Sequence, residues 1–135
     1  MSVTGDRLGH KGAAPPALRL GGIDHLEFWV GNARQAAAFF ASGFGFDIVA
    51  YAGPETGVAD RASYVVTQGD VRFVVTSGLA PNSPVAAHAR AHGDGVRDVA
   101  FLIDNAAAAY QAALVRGAAG VRAPWTEADA SGRIV

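Results

Sequence analysis

Apolar and polar positions alternate from Ile23 to Val30, with Ile23, His25, Glu27 and Trp29 on one parity and Asp24, Leu26, Phe28 and Val30 on the other. That pattern predicts a strand whose apolar face runs from Leu26 to Val30. The period then changes. Ala36, Phe39, Phe40 and Gly43 recur at three- and four-residue steps behind Asn32, whose side-chain oxygen suits a helix N-cap, and Gly43 or Gly45 supplies the stop. Phe46 to Tyr51 alternates again, and GPETG at 53–57 interrupts it. RASYVVT at 61–67 and VRFVVT at 71–76 predict two more strands, joined by the turn Gln68-Gly69-Asp70. The predicted order is β, α, β, β, β.

The design starts again further along. At an offset of 73 residues, Val96 to Asn105 lies over Ile23 to Asn32, so that Phe101 matches Phe28, Ile103 matches Val30, Asp98 matches His25 and Asn105 repeats the capping Asn32. A helix AAAAYQAALVRG follows, with Tyr110 and Leu114 on one face, Arg116 in its last turn and Gly117 as its stop. Strand, cap and helix in the same order indicate duplication of one supersecondary unit. Between the copies, Pro81-Asn82-Ser83-Pro84 opens a short connecting helix at 84–92, ended by Gly93.

The expected architecture is therefore α+β, with units at 23–78 and 96–135 in a domain spanning 22–135, behind a flexible N-terminal arm at 1–21 rich in Gly, Pro and charge. Val121 to Pro124 predicts a short strand, Trp125 to Gly132 a polar excursion, and Arg133-Ile134-Val135 a strand just beginning. On that pattern the second unit is truncated, its closing hairpin largely missing.

Half the 135 residues are apolar, enough for one domain with a real core. The formal net charge of −1, with Lys and Arg scattered, argues against a nucleic-acid partner. No apolar run approaches a membrane span and no signal-peptide core precedes the domain, so no membrane partner and a cytoplasmic location are expected. Absence of cysteine removes disulfides, thiolate metal sites and a cysteine nucleophile.

Few residues invite chemistry. His25 and Glu27 share a strand face and together offer an imidazole and a carboxylate, the donors that hold Fe(II) or another divalent ion, while the plainer reading is a hydrogen-bonded pair on the concave sheet face. Asp98, equivalent to His25 in the second copy, is expected to face it across a cup built from two curved sheets. His88 and His92 lie four apart on the connecting helix and share a face, the geometry in which two imidazoles grip zinc, against the plainer reading of a solvated face. HARAH lacks the glutamate of the zinc-protease motif and a third ligand. Gly93-Asp94-Gly95 reads as a turn, Asp60-Arg61 as a surface pair, and Ser63 and Ser77 lack the strained glycine elbow of a nucleophile. Trp29, Phe39, Phe40, Tyr64 and Phe73 read as core or interface packing.

Several of these stretches carry a resemblance. IDHLEFWVGNARQAAAFF, GFGFDIVAYAGPETG, ASYVVTQGDVRFVVTSGL and the segment from His88 to Phe101 are similar to the amino-terminal half of the 4-hydroxyphenylpyruvate dioxygenase family, and the duplicated βαβββ unit resembles the vicinal oxygen chelate fold. The resemblance covers Gly22 to Val135. It implies a non-haem Fe(II) enzyme that takes 4-hydroxyphenylpyruvate and O2 to homogentisate and CO2 in tyrosine breakdown, often as a homo-oligomer. The related 4-hydroxymandelate synthase, and free-standing small-molecule-binding proteins of the same fold, are the alternatives. It also implies that the iron is held by two histidines and a glutamate of a carboxy-terminal catalytic domain absent from these residues. His25 stands at a ligand-equivalent strand position, and Asp98 stands where the next histidine would be. On that reading this chain carries no catalytic, cofactor-binding or metal residue, binds no iron and is inactive alone.

Overall fold

The alternation at the start of the domain forms strand β1 (Gly22–Trp29), and Asn32 caps helix α1 (Ala33–Phe44), its side-chain oxygen accepting the Gln35 amide at 2.9 Å. Gly45 closes α1 in the left-handed conformation, at φ 74°, where glycine carries no Cβ penalty. Strand β2 (Asp47–Ala52), a 3-10 turn at Pro54–Thr56, and the hairpin β3 (Arg61–Gln68) and β4 (Val71–Gly78) follow. Helix α2 (Pro84–His92) begins behind Ser83, strand β5 (Gly95–Leu102) comes next, and helix α3 (Ala106–Val115) leads to the short strands β6 (Glu127–Asp129) and β7 (Gly132–Ile134). The computed structural model describes residues 18–129 and 132–134, with side chains as far as Thr126. Most of the expected arm, including Pro15-Pro16, lies outside the described residues, as does Val135.

The two asparagine caps match in geometry. Asn105 accepts the Ala108 amide at 2.9 Å, as Asn32 accepts that of Gln35, and the two asparagines share a backbone conformation, φ −145° with ψ 101° and φ −143° with ψ 102°. The strands divide otherwise than the repeat predicts. One sheet has the order β2-β3-β4-β1-β5, with β1 parallel to β4 and antiparallel to β5, so the strand expected to open a second sheet is hydrogen-bonded into the first. The compact units accordingly part between Leu102 and Ile103 instead of before Val96.

Within the unit at Gly21–Leu102, α1 covers one face of the sheet. Val30, Ala33, Ala37, Phe46, Val66 and Val75 are buried there, with Phe28, Phe40, Tyr64 and Phe73 packed against them. Phe28, Phe40 and Phe73 meet at ring separations of 5.1–5.8 Å, offset and edge-on contacts that add to the burial of their area. The inward stripe of α1 runs through Ala33, Ala36, Ala37 and Phe40, a rotation from the expected one, and leaves Phe39 59% exposed.

The unit beginning at Ile103 contains α3 and the separate β6-β7 pair, together with Leu18 to Leu20. The strand expected at Val121–Pro124 is absent. The Arg122 guanidinium lies 3.5 Å from the centre of the Trp125 ring, and side chains three apart in an extended strand point to opposite faces, so this stacking requires a turned backbone.

Candidate functional site

The face of the five-stranded sheet opposite α1 gathers the polar side chains. Residues paired directly across a sheet share a face. Glu27 is paired with Asp98 on β5 and Val74 on β4, His25 with Ala100, and Trp29 with Thr76. His25 and Asp98 therefore occupy one face, as diagonal neighbours on adjacent strands of one sheet, not opposite each other across a cup of two.

Two chains of hydrogen bonds run over this face. In the first, His25 Nδ1 lies 2.7 Å from Asp24 Oδ2, and Arg72 Nη1 donates to Asp24 Oδ1 at 3.2 Å. An ionised carboxylate only accepts, so the His25 Nδ1 carries the proton. The His25 hydrogen bond, then the Arg72 charge, hold Asp24 below the usual carboxylate range against a desolvation that pushes it up. Alternation puts Asp24 on the other face. The register shift between Ile23 and His25 leaves it without a partner on β5 and turns it toward Arg72.

In the second chain, Thr76 donates to Glu27 Oε1 at 2.9 Å and Ser63 lies 2.9 Å from the Thr76 hydroxyl. Thr76 has one proton, given to Glu27, so Ser63 donates to Thr76 and the bonding runs from β3 through β4 to β1. Ser63 is thus a structural donor. The Asp94 carboxylate of the Gly-Asp-Gly turn accepts the Gly31 amide at 2.7 Å, tying the start of β5 to the end of β1.

A second register shift, between Glu27 and Phe28, leaves Arg97 unpaired on β5 and brings its guanidinium 4.9 Å from the centre of the Trp29 ring. His88 meets the same indole edge-on at 5.3 Å. Loss of hydration, then the charges of His92 and Arg97, hold His88 below the usual histidine range. Trp29 therefore serves as a contact of α2 and β5 on the polar face and is not part of the α1 core.

The iron implied by the resemblance has a testable donor set. His25 gives its Nδ1 to Asp24, Glu27 accepts from Thr76, and among the described residues no three His, Asp or Glu side chains come together in a way that could hold a metal ion. The residues present do not fit that iron. Asp24, Arg72, Thr76 and Arg97 were missed by sequence reasoning, and Asp94 was read only as part of a turn. The recurrence of Thr and Ser within otherwise apolar strands signalled Thr76 alone, since a bulge leaves no mark on alternation.

Comparison with known proteins supplies the family. The profile described as hydroxyphenylpyruvate dioxygenase, N-terminal, matches residues 16–131. The chain is 43% identical over 125 residues to 4-hydroxyphenylpyruvate dioxygenase of Danio rerio, covering 92% of this chain and 32% of that protein. A solved triple mutant of 4-hydroxymandelate synthase from Streptomyces coelicolor superposes with a TM-score of 0.78 at 37% identity, over 84% of this chain and 33% of that one. Methylmalonyl-CoA epimerase from Mycobacterium tuberculosis, at 16% identity and a TM-score of 0.62 over 80% of this chain and 70% of its own, shares the vicinal oxygen chelate fold. The chain spans about a third of the length of the curated relatives it matches. It belongs to the hydroxyphenylpyruvate dioxygenase family and corresponds to that family's N-terminal domain.

Proposed function

We propose that this chain is the amino-terminal portion of a 4-hydroxyphenylpyruvate dioxygenase, a cytoplasmic and homo-oligomeric enzyme of tyrosine breakdown that takes 4-hydroxyphenylpyruvate and O2 to homogentisate and CO2. The observation that carries this reading is the 43% identity to the Danio rerio enzyme over nearly the whole chain. Fe(II) belongs to the proposal only for the whole protein, on ligands outside these residues. This chain's part is a support. Its aromatic core fixes the sheet, and its polar face is hydrogen-bonded to itself instead of being held open for a ligand.

The likeness to 4-hydroxymandelate synthase favours a second reading, in which the whole protein makes hydroxymandelate from the same substrate. One experiment addresses both. The chain alone, supplied with Fe(II), 4-hydroxyphenylpyruvate and O2, is assayed for either product and for oxygen uptake. It is then grafted in place of the matching residues of the Danio rerio dioxygenase and, separately, of the Streptomyces coelicolor synthase. The expected result is no turnover by the chain alone and greater retained activity in the dioxygenase graft. Iron-dependent turnover by the chain alone, or a folded dioxygenase graft less active than the synthase graft, overturns the proposal.

A further inference from the structure

Helix α2 carries two histidines for which the sheet and the family reading have no use. His88 and His92 share a face, one turn apart, with ring centres 4.5 Å apart and ring planes at 42°. Among the described residues neither imidazole has a hydrogen bond or an ion pair, and their contacts are with rings. His88 packs edge-on with Trp29 at 5.3 Å and an interplanar angle of 88°, which restricts its ring. His92 is exposed. The Ser83 cap and Pro84 at the first helical position hold the backbone that sets their spacing.

The ring separation matches one coordination geometry better than another. With metal–nitrogen bonds of about 2.0–2.1 Å, two imidazoles bound to one cation at a right angle have ring centres about 4.5 Å apart, against about 5.2 Å at a tetrahedral angle. A right angle between nitrogen donors is the preference of Cu(II) and Ni(II), of which Cu(II) binds the more tightly. We propose that His88 and His92 form a two-imidazole chelate for a tetragonal divalent cation, Cu(II) ahead of Ni(II), with water at the remaining positions. This site lies at the Trp29 end of the polar face, makes no use of His25 and is independent of the iron of the proposed enzyme. Arg97 adds positive charge to the cluster on Trp29 and lowers the affinity without removing either donor.

The test titrates the full chain with Cu(II) at slightly alkaline pH in a weakly coordinating buffer, followed by calorimetry and by electron paramagnetic resonance. The expected result is one saturable site lost in His88→Asn and in His92→Asn alike, each weakening binding by about 100-fold because the second imidazole no longer acts at high effective concentration. Hyperfine structure from two nitrogens should accompany it. His25→Asn should bind as the unmodified chain does. Cu(II) should raise the thermal midpoint of the unmodified chain and leave that of either α2 variant unchanged. Full-affinity binding by His92→Asn, whose side chain is exposed and outside the core, overturns the chelate. Loss of binding in His25→Asn with retention in the α2 variants overturns the site.

Discussion

Replacing Thr76 by valine tests whether the polar face is a self-satisfied support. Thr76 is 2% exposed, donates to Glu27 Oε1 and accepts from Ser63, both at 2.9 Å. Valine keeps the shape, so no cavity forms and the loss is confined to the two hydrogen bonds. A hydrogen bond to a charged group contributes about 1.5–3 kcal/mol and a neutral one about 1 kcal/mol. Glu27 and Ser63 are half-buried and recover part of their bonding from water, which brings the expected cost of Thr76→Val to about 2 kcal/mol. In urea, where the slope for a small domain is about 1–3 kcal/mol/M, that lowers the unfolding midpoint by about 1 M at unchanged slope. Thr76→Ser keeps the hydroxyl and loses a buried methyl, at about 0.8 kcal/mol. A cycle with Glu27→Gln should show the two residues coupled by about 1 kcal/mol. The reasoning fails if Thr76→Val costs less than Thr76→Ser, or if its cost is unchanged in the Glu27→Gln background.

The twin caps offer a matched pair. Asn32→Ala and Asn105→Ala should each destabilise the helix that follows by about 1 kcal/mol, measured as reduced amide-exchange protection in α1 and α3 respectively, and an effect at only one of them would break the equivalence of the two copies. The Tyr51 phenol is pushed up to about 12 by the 2.6 Å hydrogen bond it donates to Glu55. Its ordinary value is 10.0, so the stabilisation is complete below that pH and is lost as the pH rises to about 12. Glu55→Gln should return the phenolate absorbance transition toward 10.0, and an unmoved transition would assign the shift to another cause.

Much of this fold could be read from alternation and punctuation alone. Asn32, Asn105, Gly45, Gly69 and Gly93 mark the caps and turns because their chemistry is local: an oxygen one turn from an amide, or a backbone with φ above zero. What could not be read is non-local. The 73-residue repeat aligns β5 with β1 but does not say whether the two lie in separate sheets or pair with each other, because pairing is decided by edge hydrogen bonds that no side-chain pattern encodes. Phe39 illustrates a smaller failure. Helical spacing admits both an Ala36-Phe39-Phe40 stripe and an Ala33-Ala37-Phe40 stripe, and the close approach of α1 to the sheet selects the one with small residues at its centre.

The two register shifts in the β1–β5 pair explain why His25, with an imidazole on the polar face, has no group of three potential metal ligands around it among the described residues. In a regular ladder Asp24 would lie with Leu26 toward α1, the Nδ1 of His25 would be without a partner, and Arg97 would lie on the far face. The irregularity beside Asp24 instead puts its carboxylate against His25 Nδ1 and Arg72, and the one beside Glu27 carries Arg97 to the polar face, adding a guanidinium where a divalent ion would need negative charge. A carboxylate that fixes the imidazole through Nδ1 is a common companion of metal-bound histidines, and here no suitable group of three donors forms around His25 among the described residues. Adding a second histidine alone, as Asp98→His, would leave Glu27 hydrogen-bonded to Thr76 and Arg97 in place. Zinc or iron affinity should appear only when Thr76→Val and Arg97→Gln accompany it, and equilibrium dialysis of the single and triple variants distinguishes the two. Tight binding by Asp98→His alone would show that the missing ligand, and not the backbone register, is what separates this face from a metal centre.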